Sequence, residues 1–150
     1  MQPVGFVEPL GVFGSTRSQP RMREIVDRLR ALSNAIPASQ RHQISNYLRQ
    51  CPMLIPLMEH TSDVLGRAFE VPGGSAICTD GAYYWRFDAA EYVLHYGIEL
   101  PEEFLAQAAK RNWIPPTLTN EECEKLEACV LESVRRLAAP DDLPRDAVMR

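Results

Sequence analysis

The stretch that decides the fold covers residues 75–88 and reads SAICTDGAYYWRFD. Two runs of strand-forming residues flank Asp80-Gly81, a pair typical of the tight turn between antiparallel strands. Both central residues of a type I′ turn need a positive φ, which Asp and Gly tolerate best. The pattern therefore predicts a hairpin with a two-residue loop, in which Cys78 lies opposite Tyr83.

Alternation along the second strand gives this hairpin two faces. Tyr83, Trp85 and Phe87 share one face, and Tyr84 and Arg86 share the other. Because an isolated two-stranded hairpin is marginal in water, at least one face must pack against helices. We expect the Tyr83 face to do so, which leaves Tyr84 and Arg86 facing outwards.

Helical periodicity and helix-end signals flank the hairpin on both sides. The predicted helices begin near five residues: Pro20, Ser39, Asp88, Pro101 and Thr119. The fold class is therefore α+β, a mainly helical single domain with a central β-hairpin. A third strand, from residues 53–58 or from the N-terminal segment, would make a small three-stranded sheet.

The length of 150 residues predicts one domain with three parts along the chain. We expect residues 1–19, rich in proline and glycine, to form an extended segment that lies across the domain or pairs with an edge strand. Residues 20–139 form the globular domain. Pro140 is expected to stop the last helix, which leaves residues 140–150 as a flexible tail.

Composition and charge exclude two classes of partner. The net charge is −4 and the chain has only two lysines, so the basic stripe that nucleic-acid binding needs is missing. The longest apolar stretch, residues 53–58, is too short to span a bilayer, and the first residues do not resemble a secretory signal. We expect a cytoplasmic protein with neither a nucleic-acid partner nor a membrane partner.

Known catalytic and metal-binding motifs are missing from the sequence. The histidines are scattered, the four cysteines form no CxxC pair, and no HExxH, GxSxG or phosphate-loop motif occurs. Clustered carboxylates could support acid–base chemistry, but Asp80 and Asp88 are explained as a turn residue and a helix cap. We predict no cofactor, no metal and no catalytic residue.

A longer pattern contains the hairpin and has a family resemblance. It begins at Thr79-Asp80-Gly81, continues with Trp85-Arg86 and Asp88, and ends with Leu100-Pro101-Glu102-Glu103-Phe104. This pattern resembles small bacterial immunity-type proteins of unknown function, some of which look like immunity proteins that neutralise secreted or contact-delivered toxins. The resemblance covers about residues 48–115 and implies no catalytic residue.

The resemblance implies a cytoplasmic immunity protein that binds a cognate toxin and occludes the toxin's active site. An acidic protein pairs best with a basic toxin, because opposite charges speed association. Tyr and Arg are residue types that anchor protein interfaces. The residues expected to contact the toxin are Asp80, Tyr84, Arg86, Glu102 and Glu103.

Two other functional classes stay open. A small enzyme with a carboxylate-lined site would need a deep pocket that holds two carboxylates with shifted pKa values. A self-associating structural or regulatory domain would pair with its own copies through an apolar edge. Its molecular mass would then depend on concentration.

Overall fold

A computed structural model describes residues 2–3 and 19–142 of the chain, with side-chain burial given for residues 23–132. The described helices are α1 Gln19–Ala31, α2 Ala38–Gln50, α3 Ala89–Tyr96, α4 Glu102–Lys110 and α5 Asn120–Asp142. The described strands are β1 Gln2–Pro3, β2 Met53–Ile55, β3 Thr61–Ser62, β4 Glu70–Val71, β5 Ile77–Thr79 and β6 Tyr83–Arg86. Most of the predicted N-terminal segment and C-terminal tail lies outside the described residues.

The strands form two small sheets. In the larger sheet the order is β1-β6-β5-β2, with β1 parallel to β6 and the other neighbours antiparallel. β3 and β4 form a separate antiparallel pair. The α+β fold class is confirmed, and residues 53–55 supply the third strand of the antiparallel sheet. In the described part of the chain, no helix is both long and apolar enough to cross a bilayer.

The hairpin is present, but its register differs from the prediction by two residues. Cys78 pairs with Trp85, whereas a loop made of Asp80-Gly81 would have placed Cys78 opposite Tyr83. Since strand side chains alternate with a period of two, this shift keeps every side chain on its predicted face.

The difference comes from the turn, in which Asp80 follows β5 and pairs with Tyr83 instead of entering the loop. Asp80 N donates to Tyr83 O at 3.3 Å, so the two loop residues are Gly81 and Ala82. The Asp80 carboxylate folds back, and its Oδ1 accepts hydrogen bonds from Ala82 N at 3.0 Å and Tyr83 N at 2.8 Å. In this described turn only Gly81 has a positive φ, of 97°, so the predicted type I′ turn is wrong.

The Tyr83 face of the hairpin packs against helices, as the sequence predicted. Phe104 of α4 is fully buried, and its ring lies 5.4 Å from Tyr83, 5.5 Å from Trp85 and 6.0 Å from Tyr47 of α2. Trp85 Nε1 donates to Leu48 O at 3.0 Å, which satisfies its single donor. These contacts fix the hairpin to α2 and α4.

The second face of the hairpin is buried as well, so the predicted outward position of Tyr84 and Arg86 is wrong. Tyr84 has no exposed surface, and Arg86 is 5% exposed. β6 lies inside the sheet between β1 and β5, and Asp88 supplies a carboxylate 2.8 Å from the Arg86 guanidinium. The prediction assumed that the Tyr83 face alone packs against the helices, but a buried ion pair allows Arg86 inside as well.

Some helix ends follow their sequence signals, and others do not. The Thr119-x-x-Glu122 spacing is typical of a capping box, and the two residues form one: each backbone N donates to the side-chain oxygen of the other, at 3.0 and 3.2 Å. Gly97 ends α3 in the left-handed conformation, with φ of 60°. Ser39, near which α2 was predicted to begin, is a good N-cap by residue type, but Pro37 occupies the N-cap position.

The last helix extends past its predicted stop. α5 reaches Asp142, two residues beyond Pro140. A proline removes one backbone donor and strains the preceding turn, so it weakens the end of a helix without always fixing the last residue.

Phe104→Ala tests whether the hairpin depends on α4. Truncation of this fully buried ring should lower the free energy of unfolding by about 3–5 kcal/mol, measured by urea denaturation. Leu105→Ala, at a half-buried position on the same helix, is the control and should cost less than half as much. Equal effects of the two substitutions would contradict the central position of Phe104 in the core.

Candidate functional site

The hairpin turn forms one wall of a cleft of about 470 Å³. Asp80, Gly81 and Ala82 line this wall, and the chain between α4 and α5 lines the other, together with the start of α5. Nothing in the sequence indicated this cleft, because its walls are about 30 residues apart along the chain.

Asp80 connects the cleft to the core. Its side chain has no exposed surface, and Tyr47 OH donates to its Oδ2 at 3.2 Å. Arg111 Nη1 donates to the backbone oxygen of Asp80 at 2.9 Å and lies 3.7 Å from Oδ2. With its turn bonds included, the carboxylate is fully engaged inside the protein.

Directly after Arg111, which is the C-cap of α4, the chain turns sharply. Asn112 and Trp113 both have positive φ, of 54° and 58°, a conformation that costs energy for residues other than glycine. The Trp113 ring packs edge-on against Tyr47 with centroids 5.7 Å apart, which offsets part of this cost.

A second buried carboxylate belongs to Asp88. Its Oδ2 accepts hydrogen bonds from Arg86 Nη2 at 2.8 Å and from Thr61 Oγ1 at 3.0 Å. Burial raises the pKa of Asp88, while the positive charge of Arg86 acts in the opposite direction. Asp88 occupies the N-cap position of α3 but makes no capping bond, because these two partners hold its side chain. Its predicted N-cap position is confirmed, whereas the side-chain capping bond that such a residue usually makes is absent.

Gly74 is required beside this pair. A Cβ atom at residue 74 would lie 1.8 Å from Thr61 Oγ1, so the Thr61 side chain, which donates to Asp88, would have to move. Gly74 O also accepts a hydrogen bond from Asp88 N at 3.0 Å. The Gly73-Gly74 turn therefore has a packing role next to the buried ion pair.

The five residues predicted to contact a partner separate into two groups. Glu102 and Glu103 are exposed in the first turn of α4. Asp80, Tyr84 and Arg86 are at most 5% exposed. A side chain with almost no accessible surface cannot contact a partner in this fold, so Glu102 and Glu103 are the predicted contacts that the structure leaves accessible.

Tyr83 lies close to Asp80, one of the buried residues, and to Glu103, one of the exposed residues. Burial raises the pKa of Tyr83, and the negative charges of Glu103 and Asp80 raise it further. The start of α4 and the hairpin turn therefore both lie near this ring. The structure brings Asp80 and Glu103 to the same end of the hairpin, with Asp80 inside and Glu103 outside.

The cysteines differ mainly in burial. Cys51 and Cys78 are buried, Cys123 is half-buried and Cys129 is exposed. Burial raises the pKa of both Cys51 and Cys78 to about 12. Within the described residues, no three His, Cys, Asp or Glu side chains are placed to hold a metal ion.

Asp80→Ala should destabilise the protein more than Asp80→Asn. Alanine leaves two turn N–H groups and the Tyr47 hydroxyl without their acceptor, and we expect a loss of about 2–4 kcal/mol in urea denaturation. Asparagine keeps one oxygen acceptor and should lose less. Amide hydrogen exchange at Ala82 and Tyr83 should accelerate in the alanine variant, and unchanged exchange there would contradict the role of Asp80 in the turn.

Thiol reactivity should follow burial. A rise in pKa from 9.0 to about 12 leaves about a thousandfold less thiolate at pH 8. In the folded protein a disulfide reagent should therefore modify Cys129 first, and Cys51 and Cys78 only after denaturation. Modification of all four thiols at equal rates in the folded protein would contradict this order.

The same pKa shifts set a direction for stability at alkaline pH. The unfolded chain loses its thiol protons near pH 9, whereas the folded chain holds them to about pH 12. Below pH 9 both states hold these protons, so the two thiols do not lower the free energy of unfolding. That free energy falls as the pH rises from 9 towards 12, because deprotonation then favours the unfolded chain. Cys51→Ser should reduce this alkaline loss in denaturation experiments.

Comparisons with known proteins found no relative. No family model matches this chain, and no curated protein or solved structure matches it. The resemblance to immunity-type proteins stays a prediction, and a function must be inferred from the chain's own residues.

Proposed function

We propose that this chain is a cytoplasmic immunity-type protein that binds a cognate bacterial toxin and occludes the toxin's active site, acting by binding and not by catalysis. The observation that carries the proposal is an exposed group of acidic residues at the start of α4. We call this group, Glu99, Glu102 and Glu103, the acidic turn. All three residues are exposed.

The acidic turn has no compensating positive charge in its own part of the chain. Residues 96–109 contain no Lys, Arg or His. The three negative charges of the acidic turn lie within five residues, 99–103. Surface charges of one sign attract a partner of the opposite sign over a distance of about 10 Å at 0.1 M salt. The partner that fits this surface is therefore a protein with a basic patch around its active site.

The acidic turn is presented on a rigid support. Phe104 and Ala108 of α4 are fully buried, and Phe104 packs against the hairpin and α2. A surface that needs little ordering on binding loses less conformational entropy. This rigidity supports recognition of a preformed site on a folded partner.

The buried carboxylates support a binding role over a catalytic one. Asp80 is held by the turn, Tyr47 and Arg111, and Asp88 is held by Arg86 and Thr61. An acid–base pair needs carboxylates that can reach a substrate. Neither Asp80 nor Asp88 has more than 2% of its surface exposed.

Removal of two charges tests the acidic turn. The double variant Glu102→Gln/Glu103→Gln should slow association with a toxin encoded by the adjacent gene by about tenfold at low salt, measured by stopped-flow fluorescence. The difference from wild type should shrink as the salt concentration rises. Glu24→Gln/Asp27→Asn removes the same charge from exposed positions of α1 and should leave the rate near that of wild type.

Co-expression gives the decisive outcome. The wild-type chain should protect cells against the toxin from the adjacent gene, and the acidic-turn variant should protect less well. Persistent toxicity in the presence of the wild-type chain would rule out the immunity function. In the stopped-flow experiment, an equal fall in association rate for Glu24→Gln/Asp27→Asn would show that net charge, and not the acidic turn, governs association.

A further inference from the structure

Arg111 has an unused hydrogen-bonding edge at the cleft. Its Nη1 atom makes all the contacts to Asp80 and Tyr47. Its Nε and Nη2 atoms make no hydrogen bond to the described residues and are not buried. The side chain is 33% exposed and lines the cleft. One edge of the guanidinium is thus bound inside the protein, and the other is accessible.

This arrangement suits a carboxylate. Two parallel N–H groups on one edge of a guanidinium match the two oxygens of a carboxylate, and such paired bonds are among the strongest in proteins. Because Nη1 is bound to the Asp80 backbone at 2.9 Å, the plane of the guanidinium is already oriented before a ligand arrives. A site held in this way loses little entropy on binding.

The rest of the cleft limits the kind of carboxylate. Ala82, Leu118 and Leu126 give it apolar walls, and Lys125 adds a second cation. Glu122 also lines the cleft, and its negative charge disfavours a ligand with more than one negative charge. The volume of about 470 Å³ lies in the range of small-molecule sites.

We propose that this cleft binds a monocarboxylate with a small apolar body, its carboxylate paired with the free edge of Arg111 and its apolar part between Leu118 and Leu126. The ligand can be a free short-chain acid or the C-terminal residue of a peptide, since both present the same chemistry. The proposal does not depend on the immunity function, because the ligand binds to the isolated chain.

Two probes distinguish the two sources. Hexanoate represents a free acid, and acetyl-Ala-Leu represents a peptide C-terminus, and each is compared with its uncharged amide. In NMR titrations of the full chain, the amide signals of Gly81 and Leu118 should shift and saturate with a Kd of about 1 mM or lower. Saturation by hexanoate alone indicates a free acid, and saturation by the peptide alone indicates a C-terminus.

Failure of both acids to shift these signals would overturn the proposal. Equal binding of the acids and their amides would also overturn it, because the carboxylate would then contribute nothing. The titration contains no toxin, so its result is separate from that of the protection experiment.

Substitutions test the role of Arg111 itself. Arg111→Lys keeps a cation near Asp80 but removes the paired Nε and Nη2 donors that would bind both carboxylate oxygens. It should weaken binding by about tenfold or more. Lys110→Gln removes an exposed cation from the same helix and should leave binding unchanged. Unchanged affinity in Arg111→Lys, or equal weakening in Lys110→Gln, would overturn the assignment.

A third variant covers the possibility that Arg111→Lys does not fold. Leu118→Glu places a negative charge in the cleft at a half-buried position and leaves the contacts between Arg111 and Asp80 in place. It should abolish binding of the acid. Retained binding in this variant would show that the ligand lies elsewhere.

Discussion

The carboxylate of Asp80 joins the parts of this fold that the sequence keeps apart. It accepts hydrogen bonds from two N–H groups of the hairpin turn and from the hydroxyl of Tyr47 in α2. Arg111, at the end of α4, completes the set from the other side. A buried carboxylate without such partners would destabilise the protein by several kcal/mol, so the turn, α2 and α4 must come together in one arrangement.

The same requirement governs the other buried charges. Arg86 and Asp88 face each other inside the protein at 2.8 Å, and Thr61 contributes a third polar group. A buried pair of this kind does not add much stability compared with apolar residues, but breaking it is costly. Glu102 and Glu103 remain accessible in the first turn of α4, where they also interact favourably with the helix dipole.

The separation of buried charges, which bind each other, from exposed charges, which can bind a partner, connects the fold to the proposed functions. The acidic turn is available to a partner because Phe104 anchors its helix from the opposite side. Arg111 presents one edge to the cleft because its other edge is bound to Asp80. In both cases buried contacts hold an exposed group in a fixed orientation, which is the property that recognition requires.

The sequence by itself determined the hairpin, the five helices, the Thr119–Glu122 capping box and the end of α3 at Gly97, because each depends on residues close together along the chain. Only the tertiary structure decided the register of the turn, the burial of Tyr84 and Arg86, and the cleft beside Arg111. These features depend on pairings between residues far apart in sequence, such as Tyr47 with Asp80. Local patterns carry no information about such partners, so a buried charged residue has the same sequence signature as an exposed one.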